Sequence, residues 1–221
     1  MSLLRLNIPS IDDELRGIPS GSLIALEGST LSYANLVARV ILSSRSTLGE
    51  RVTYFAVDED FDDVRDSMTS LGLRIHAFEA SGVWSFVGEP DKPLSEHFTT
   101  LLERIKDGDW TCIDTFSSLV NNISKSEEDL INMLNNLKKA SKTGGGLHFL
   151  IIIPVMHTPR QLGVIRNKVD VIIKVSYKES GNSYVRYLKV VKSKRRPHQG
   201  IIVPFSITRT GIVFETVTRI A

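Results

Sequence analysis

Ser22-Leu23-Ile24-Ala25-Leu26-Glu27-Gly28-Ser29-Thr30-Leu31-Ser32-Tyr33-Ala34-Asn35-Leu36-Val37 is the stretch on which the fold turns. The apolar run up to Leu26 follows the turn-forming Gly17-Ile18-Pro19-Ser20-Gly21 and stops at Glu27-Gly28, as a buried strand bounded by turns does. Leu36, Val37, Val40 and Ile41 recur at helical spacing and predict a helix from about Tyr33 to about Leu48. Strand, glycine, short loop and amphipathic helix are the setting of a phosphate-binding loop. They are equally the setting of any tight strand–helix turn.

The same alternation extends outward. Arg51 to Val57 is β-branched and aromatic and reads as a second strand. Phe61, Val64, Met68 and Leu71 form one face of a helix that Gly72 can close. Leu94, Phe98, Leu101, Leu102 and Ile105 make another helical stripe, and Trp110 to Ile113 a strand ending at Asp114. Ser126 with Asp129 resembles a capping box ahead of Leu130, Ile131, Leu134 and Leu137, and Gly144-Gly145-Gly146 ends that helix. Phe149 to Ile153 is a nearly continuous apolar strand, the pattern of a central parallel strand covered on both faces.

Strand–helix alternation up to Ile153 predicts an α/β fold: a mostly parallel central sheet with helices on both faces. Beyond Asn167 the segments Val169 to Val175, Tyr184 to Val191, Ile201 to Ile207 and Gly211 to Thr216 read as strands without intervening helices, with a hairpin turn at Gly181-Asn182. Residues 168–221 are therefore expected to form an antiparallel edge extension within one domain spanning 1–221, with no repeat or linker.

Composition narrows the function. With 42% apolar and 24% charged residues, a chain of 221 residues buries enough core to fold without staples. Cys112 is the single cysteine, so no internal disulfide forms, and the amino-terminal segment is too short and mixed for a signal core. No apolar run approaches a membrane span. A cytoplasmic protein is expected, without membrane contact. Five His and one Cys, with no G-x-S-x-G, give no metal-ligand cluster or nucleophile constellation. Net charge is only +2, but Arg186, Lys189, Lys192, Lys194, Arg195 and Arg196 fall in a segment without acids. Such a strip suits an anionic partner, and equally a solvated strand edge.

Several motifs, in order, resemble RecA-superfamily ATPases of the KaiC-like and RadA-paralogue kind. Ile8-Pro9-Ser10-Ile11-Asp12-Asp13-Glu14-Leu15 and Gly17-Ile18-Pro19-Ser20-Gly21 are similar to that family's opening, and Leu26-Glu27-Gly28 to its entry into the Walker A loop. Asp58-Glu59, Cys112-Ile113-Asp114-Thr115, His157, Val169 to Val175, Arg186 to His198 and Phe205 to Ile212 resemble its later strands and their ends. The resemblance implies a RecA-like three-layer fold. It also implies a water-activating role for Glu59 beside Asp58, a magnesium role for Asp114 and a γ-phosphate sensor at His157. Asp58 to Asp63 also suits a helix cap, and His157 an ordinary surface histidine.

Aligned to that family without a gap, Gly28 keeps the first glycine, whereas Leu31 and Tyr33 replace later glycines, Ala34 the lysine and Asn35 the hydroxyl residue. Glycines let backbone N–H groups approach phosphate, lysine neutralises the β/γ oxygens and the hydroxyl ligates Mg²⁺. Only a remnant nucleotide site at Gly28, Ser29, Thr30, Ser32 and Asn35 is expected, with Asp58, Glu59 and Asp114 as vestigial catalytic positions. No cofactor and no hydrolysis are expected, although the helix amino end leaves room for weak or structural Mg·ATP or Mg·ADP.

The resemblance places Lys192, Lys194, Arg195 and Arg196 where assembled relatives face a neighbouring subunit's nucleotide. Three functions follow from these readings. The first is an inactive subunit that regulates or scaffolds a RecA-like paralogue in recombination or signalling, or assembles with itself. The second is DNA or RNA binding through 186–196, with Tyr184 and Tyr187 available for stacking. The third is an unconventional ATPase completed by a neighbour's Lys192 or Arg195.

Overall fold

Successive side chains of the strand Ser22–Glu27 enter two different cores. Ile24 and Leu26 pack on one face of the sheet, Leu23 and Ala25 on the other. The strand Leu147–Ile152 divides in the same way, with Phe149 and Ile151 on the first face and Leu150 and Ile152 on the second. A strand covered on both sides has no polar face, which is why residues 23–26 and 149–152 read as continuous apolar runs.

The computed structural model describes residues 2–181, 183–195, 197, 200–208 and 211–216. Its strands are β1 (Leu3–Leu4), β2 (Ile18–Pro19), β3 (Ser22–Glu27), β4 (Val52–Ala56), β5 (Trp84–Val87), β6 (Trp110–Asp114), β7 (Leu147–Ile152), β8 (Val171–Ser180), β9 (Ser183–Ser193), β10 (Ile202–Thr208) and β11 (Gly211–Phe214). Among the described residues, β3 to β11 form a nine-stranded sheet ordered β11-β10-β9-β8-β3-β7-β6-β4-β5. Pairing is parallel from β8 through β5 and antiparallel from β8 to β11. β1 and β2 form a separate small ribbon.

Helices α1 (Pro9–Leu15), α2 (Ala34–Thr47), α3 (Phe61–Ser70) and α4 (Ile75–Ala80) cover the first face. Helices α5 (Leu94–Lys106), α6 (Phe116–Ile123), α7 (Glu127–Gly144) and α8 (Pro159–Lys168) cover the second. The expected three layers and antiparallel strands are present. The Ser126 cap is made too: its hydroxyl accepts from the Asp129 N–H, and the Asp129 carboxylate accepts from the Lys125 N–H.

Three differences have simple causes. α8 carries one buried side chain, Ile165, so it has no stripe to read; its start is fixed by a capping box between Thr158 and Gln161. α4 and β5 are too short for periodicity to show. α6 is packed so thoroughly that Phe116, Ser117, Ser118, Leu119 and Val120 are all buried in succession, which hides a helical period. β11 ends at Phe214 rather than Thr216. The turn residue Asn182, Arg196 of the basic strip and His198 lie outside the described residues.

Candidate functional site

The loop after β3 lies where the carboxyl ends of β3, β7, β6 and β4 meet, the usual position for a ligand in an open α/β sheet. The Gly28 N–H donates to Ile152 O across the sheet at 3.0 Å. Thr30–Ser32 then forms a 3₁₀ turn, and Tyr33 caps α2 in the left-handed conformation (φ 59°, ψ 41°). This turn engages the loop's donors internally: the Ser32 N–H donates to Ser29 O at 2.9 Å and the Ser32 hydroxyl to the same oxygen at 2.6 Å. Ser32 is fully buried. A Cβ on Gly28 would stand 2.1 Å from its hydroxyl oxygen and 2.7 Å from the Val175 carbonyl oxygen, so the packing of Ser32 and the close approach of β8 together require glycine at 28.

Behind the loop, α2 projects an arginine into the interior. Arg39 is 1% exposed. Its Nη2 donates to Glu59 Oε2 at 2.7 Å and to Asp114 Oδ2 at 3.0 Å, its Nε to the Tyr54 hydroxyl at 2.9 Å, and its Nη1 to Ser67 Oγ at 3.1 Å. The Tyr54 hydroxyl in turn donates to Asp114 Oδ2. Burial opposes the Arg39 charge, but Tyr54, Asp114 and Glu59 outweigh it and keep the guanidinium protonated. Burial also raises the Asp114 carboxyl, and the Arg39 charge and the Tyr54 hydroxyl pull it back. Two acids at strand ends thus share one internal cation.

Gly28, Ser29, Thr30, Asn35, Asp58, Glu59 and Asp114 line a cavity of about 250 Å³, so most of the residues expected from sequence do converge. Ser32 points into the loop instead. Ala34 also lines the cavity and offers it only a methyl group. Asn35 Nδ2 donates to Glu59 Oε1 at 3.3 Å, and its Oδ1 accepts from the Leu36 N–H at 2.9 Å. Asp58 does not cap α3; its carboxylate accepts from the Thr115 hydroxyl at 2.8 Å and the Thr115 N–H at 3.1 Å. Among the described residues no group of three or more His, Cys, Asp and Glu is arranged to hold a metal.

A sequence profile described as "ATPase: KaiC" matches residues 4–218. The chain belongs to the KaiC-like ATPase family. Two UPF0273 proteins, PH0284 of Pyrococcus horikoshii and PF1931 of Pyrococcus furiosus, are each 23% identical to it over 232 residues, covering 95% of this chain and 92% of each relative. The KaiC-like protein PH0186 of Pyrococcus horikoshii superposes with a TM-score of 0.81 at 20% identity, covering 97% of this chain and 99% of that one. The flagellar accessory protein FlaH of Methanocaldococcus jannaschii gives 0.78 at 18%, covering 98% and 100%. At these identities the structural likeness is one of fold.

Other expected residues of this KaiC-like chain lie elsewhere. Lys192 is in the last pairs of β9, opposite Ile172, and Lys194 and Arg195 follow the strand's end, where Ser193 pairs with Val171 at the start of β8. They are at the amino ends of the parallel strands, across the sheet from the loop. The Lys192 ammonium donates to the carbonyl oxygens of Arg166, Asn167 and Val169 at the end of α8. His157 Nε2 is 2.8 Å from the Ser117 hydroxyl, and burial lowers the His157 pKa. Arg186 stands over the Tyr33 ring at 4.8 Å and joins β9 to the loop. Among the described residues, no helix is long and apolar enough to cross a membrane.

Two features were missed in the sequence. One is Arg39, whose signal was a lone charge inside the apolar run Leu36 to Leu42. The other is the pair of Glu27 and Arg166, bonded at 2.8 and 2.9 Å beside a second cavity of about 430 Å³. Nothing local to either residue announces that pair, because Arg166 arrives from α8.

Proposed function

We propose that this KaiC-like domain does not hydrolyse ATP and works by binding, as a regulatory or scaffolding subunit beside an active RecA-like paralogue. The observation that carries this reading is Arg39, whose guanidinium sits between Glu59 and Asp114. In an active relative those positions are expected to serve the attacking water and Mg²⁺. Here a resident cation is already paired with both.

The loop supports the same reading. Ser32 fills its interior, the Ser32 and Tyr33 N–H groups are spent on carbonyls of the turn itself, and Ala34 brings no charge to the cavity. These residues do not fit a magnesium nucleotide held by backbone N–H groups, a lysine and a hydroxyl. A retained core beside a remodelled site is compatible with selection for surfaces rather than turnover.

Calorimetry of the purified protein with Mg·ATP and Mg·ADP up to millimolar nucleotide tests this, together with a phosphate-release assay. The expected result is no saturable heat and no turnover. Turnover that disappears in Glu59→Gln would overturn the proposal, and micromolar binding would restore the loop as a nucleotide site.

A further inference from the structure

The basic strip seen in the sequence is not a strip in the fold. Lys194 and Arg195, just after β9, come together with Lys138 and Lys142 from the last turns of α7 around a cavity of about 260 Å³. Its floor is the turn Pro19-Ser20-Gly21-Ser22 that leads into β3. Among the described residues that line it, Lys138, Lys142, Lys194 and Arg195 stand with a single carboxylate, Asp170. That carboxylate is already engaged: Oδ1 accepts from Lys138 Nζ at 3.0 Å and Oδ2 from the Leu23 N–H at 3.1 Å.

We propose that this cavity binds a phosphate-type dianion, held by Lys138, Lys142, Lys194 and Arg195 of the same chain. Three observations converge on it. Lys138 is pre-positioned by Asp170 and by Lys168 O at 2.9 Å. The Lys194 ammonium is held down to about 8, first by partial desolvation of an otherwise surface side chain and then by the adjacent Lys138 and Lys192 charges, a repulsion that an anion between them would relieve. The floor is rigid: a Cβ on Gly21 would stand 2.5 Å from Ser141 O, and the Ser141 hydroxyl donates to Gly21 O at 3.0 Å. The carbonyls ending α8 offset Lys192, which donates to three of them, while Lys138, Lys142 and Lys194 line the cavity.

This site lies at the opposite end of β3 from the loop, so it does not depend on the proposed loss of ATP hydrolysis. The two can fail separately. The ligand chemistry is a free or terminal phosphate, doubly charged near neutrality, as distinct from the singly charged diester of a nucleic-acid backbone.

Inorganic phosphate titrated into the full chain by calorimetry, against chloride at equal ionic strength, is the test. One-site binding is expected, weakened about tenfold in each of Lys142→Gln and Lys194→Gln and unchanged in Lys92→Gln, an exposed lysine that lines none of the cavities. Lys142 and Lys194 are exposed, so both variants should melt like the parent, which separates lost binding from lost fold. Absence of saturable binding would overturn the proposal. So would equal affinity in parent and variants, binding of single-stranded DNA but not of phosphate, or binding seen only when a nucleotide is added and the protein self-associates.

Discussion

Arg39 and Asp114 are 75 positions apart in the chain, and their side chains meet 3.0 Å apart in the interior of the sheet–helix layer. Neither charge is tolerable there alone. Burial of an unpaired carboxylate or guanidinium costs several kcal/mol, and the pair persists because Glu59, Tyr54 and Ser67 complete its hydrogen bonds.

Removing the cation therefore leaves a buried carboxylate without its partner. Arg39→Met should destabilise the fold by about 3–5 kcal/mol, measured by urea unfolding near neutral pH. Asp114→Asn in the same background should recover part of that loss. A loss below about 1 kcal/mol would mean that the two acids are neutral and the pair is not ionic.

Restoring the missing lysine should not by itself restore nucleotide binding. In Ala34→Lys/Asn35→Thr the Ser32 side chain still fills the loop and Arg39 still holds both acids. Calorimetry with Mg·ATP should show no saturable heat for this double variant. Binding is expected only when Leu31→Gly, Ser32→Gly and Tyr33→Gly open the loop and Arg39→Gln releases Glu59 and Asp114. Micromolar affinity in the double variant alone would show that charge, not loop shape, is limiting.

Two helical glycines should respond to alanine with opposite signs. A Cβ on Gly144, the last residue of α7, would stand 1.7 Å from the Ile105 carbonyl oxygen of α5, a clash between backbones that no rotamer relieves. Gly144→Ala should cost about 1–3 kcal/mol. Gly163 in α8 has nothing within 4 Å of such a Cβ, and Gly163→Ala should add up to about 1 kcal/mol. Thermal melts of both decide the matter.

His148 makes the fold sensitive to acid. It is fully buried between Thr111 Oγ1 at 3.0 Å and Gly145 O at 2.7 Å, and burial pushes its pKa down from 6.5 to about 4. The folded chain keeps this imidazole neutral while the unfolded chain takes up the proton. The stabilisation is complete above the unfolded value and is lost as pH falls from 6.5 to about 4. Between about pH 7 and about pH 5 this accounts for roughly 2 kcal/mol. His148→Gln should flatten that part of the stability profile, followed by urea unfolding at both pH values. An unchanged slope would assign the acid sensitivity to other groups.

The fold was legible wherever one face or two faces of an element were uniformly apolar. β3 and β7 announced themselves because they feed two cores, and α7 because its cap and its stripe agree. α8 was hidden because its cap carried the information and its single buried side chain left no period. The site was legible as a set of positions, since Gly28, Asn35, Glu59 and Asp114 do converge. Its chemistry was not, because it depends on which carboxylates a buried arginine from α2 reaches across the sheet. Sequence spacing says nothing about a contact of that range. The basic residues were visible as a run, but the run became one wall of a cavity only when α7 supplied Lys138 and Lys142.

β3 is flanked by β7 on one side and β8 on the other, strands that begin at Leu147 and Val171. During synthesis the loop after β3 therefore emerges long before either neighbour exists. The nascent chain must hold an apolar strand with both edges open until more than half of the sequence has followed it. Completion of the sheet is thus postponed by topology, and a stalled or truncated product exposes an apolar strand with unpaired edges. β3, the first strand of the large sheet to be made, has both of its edges paired only once β8 has followed it.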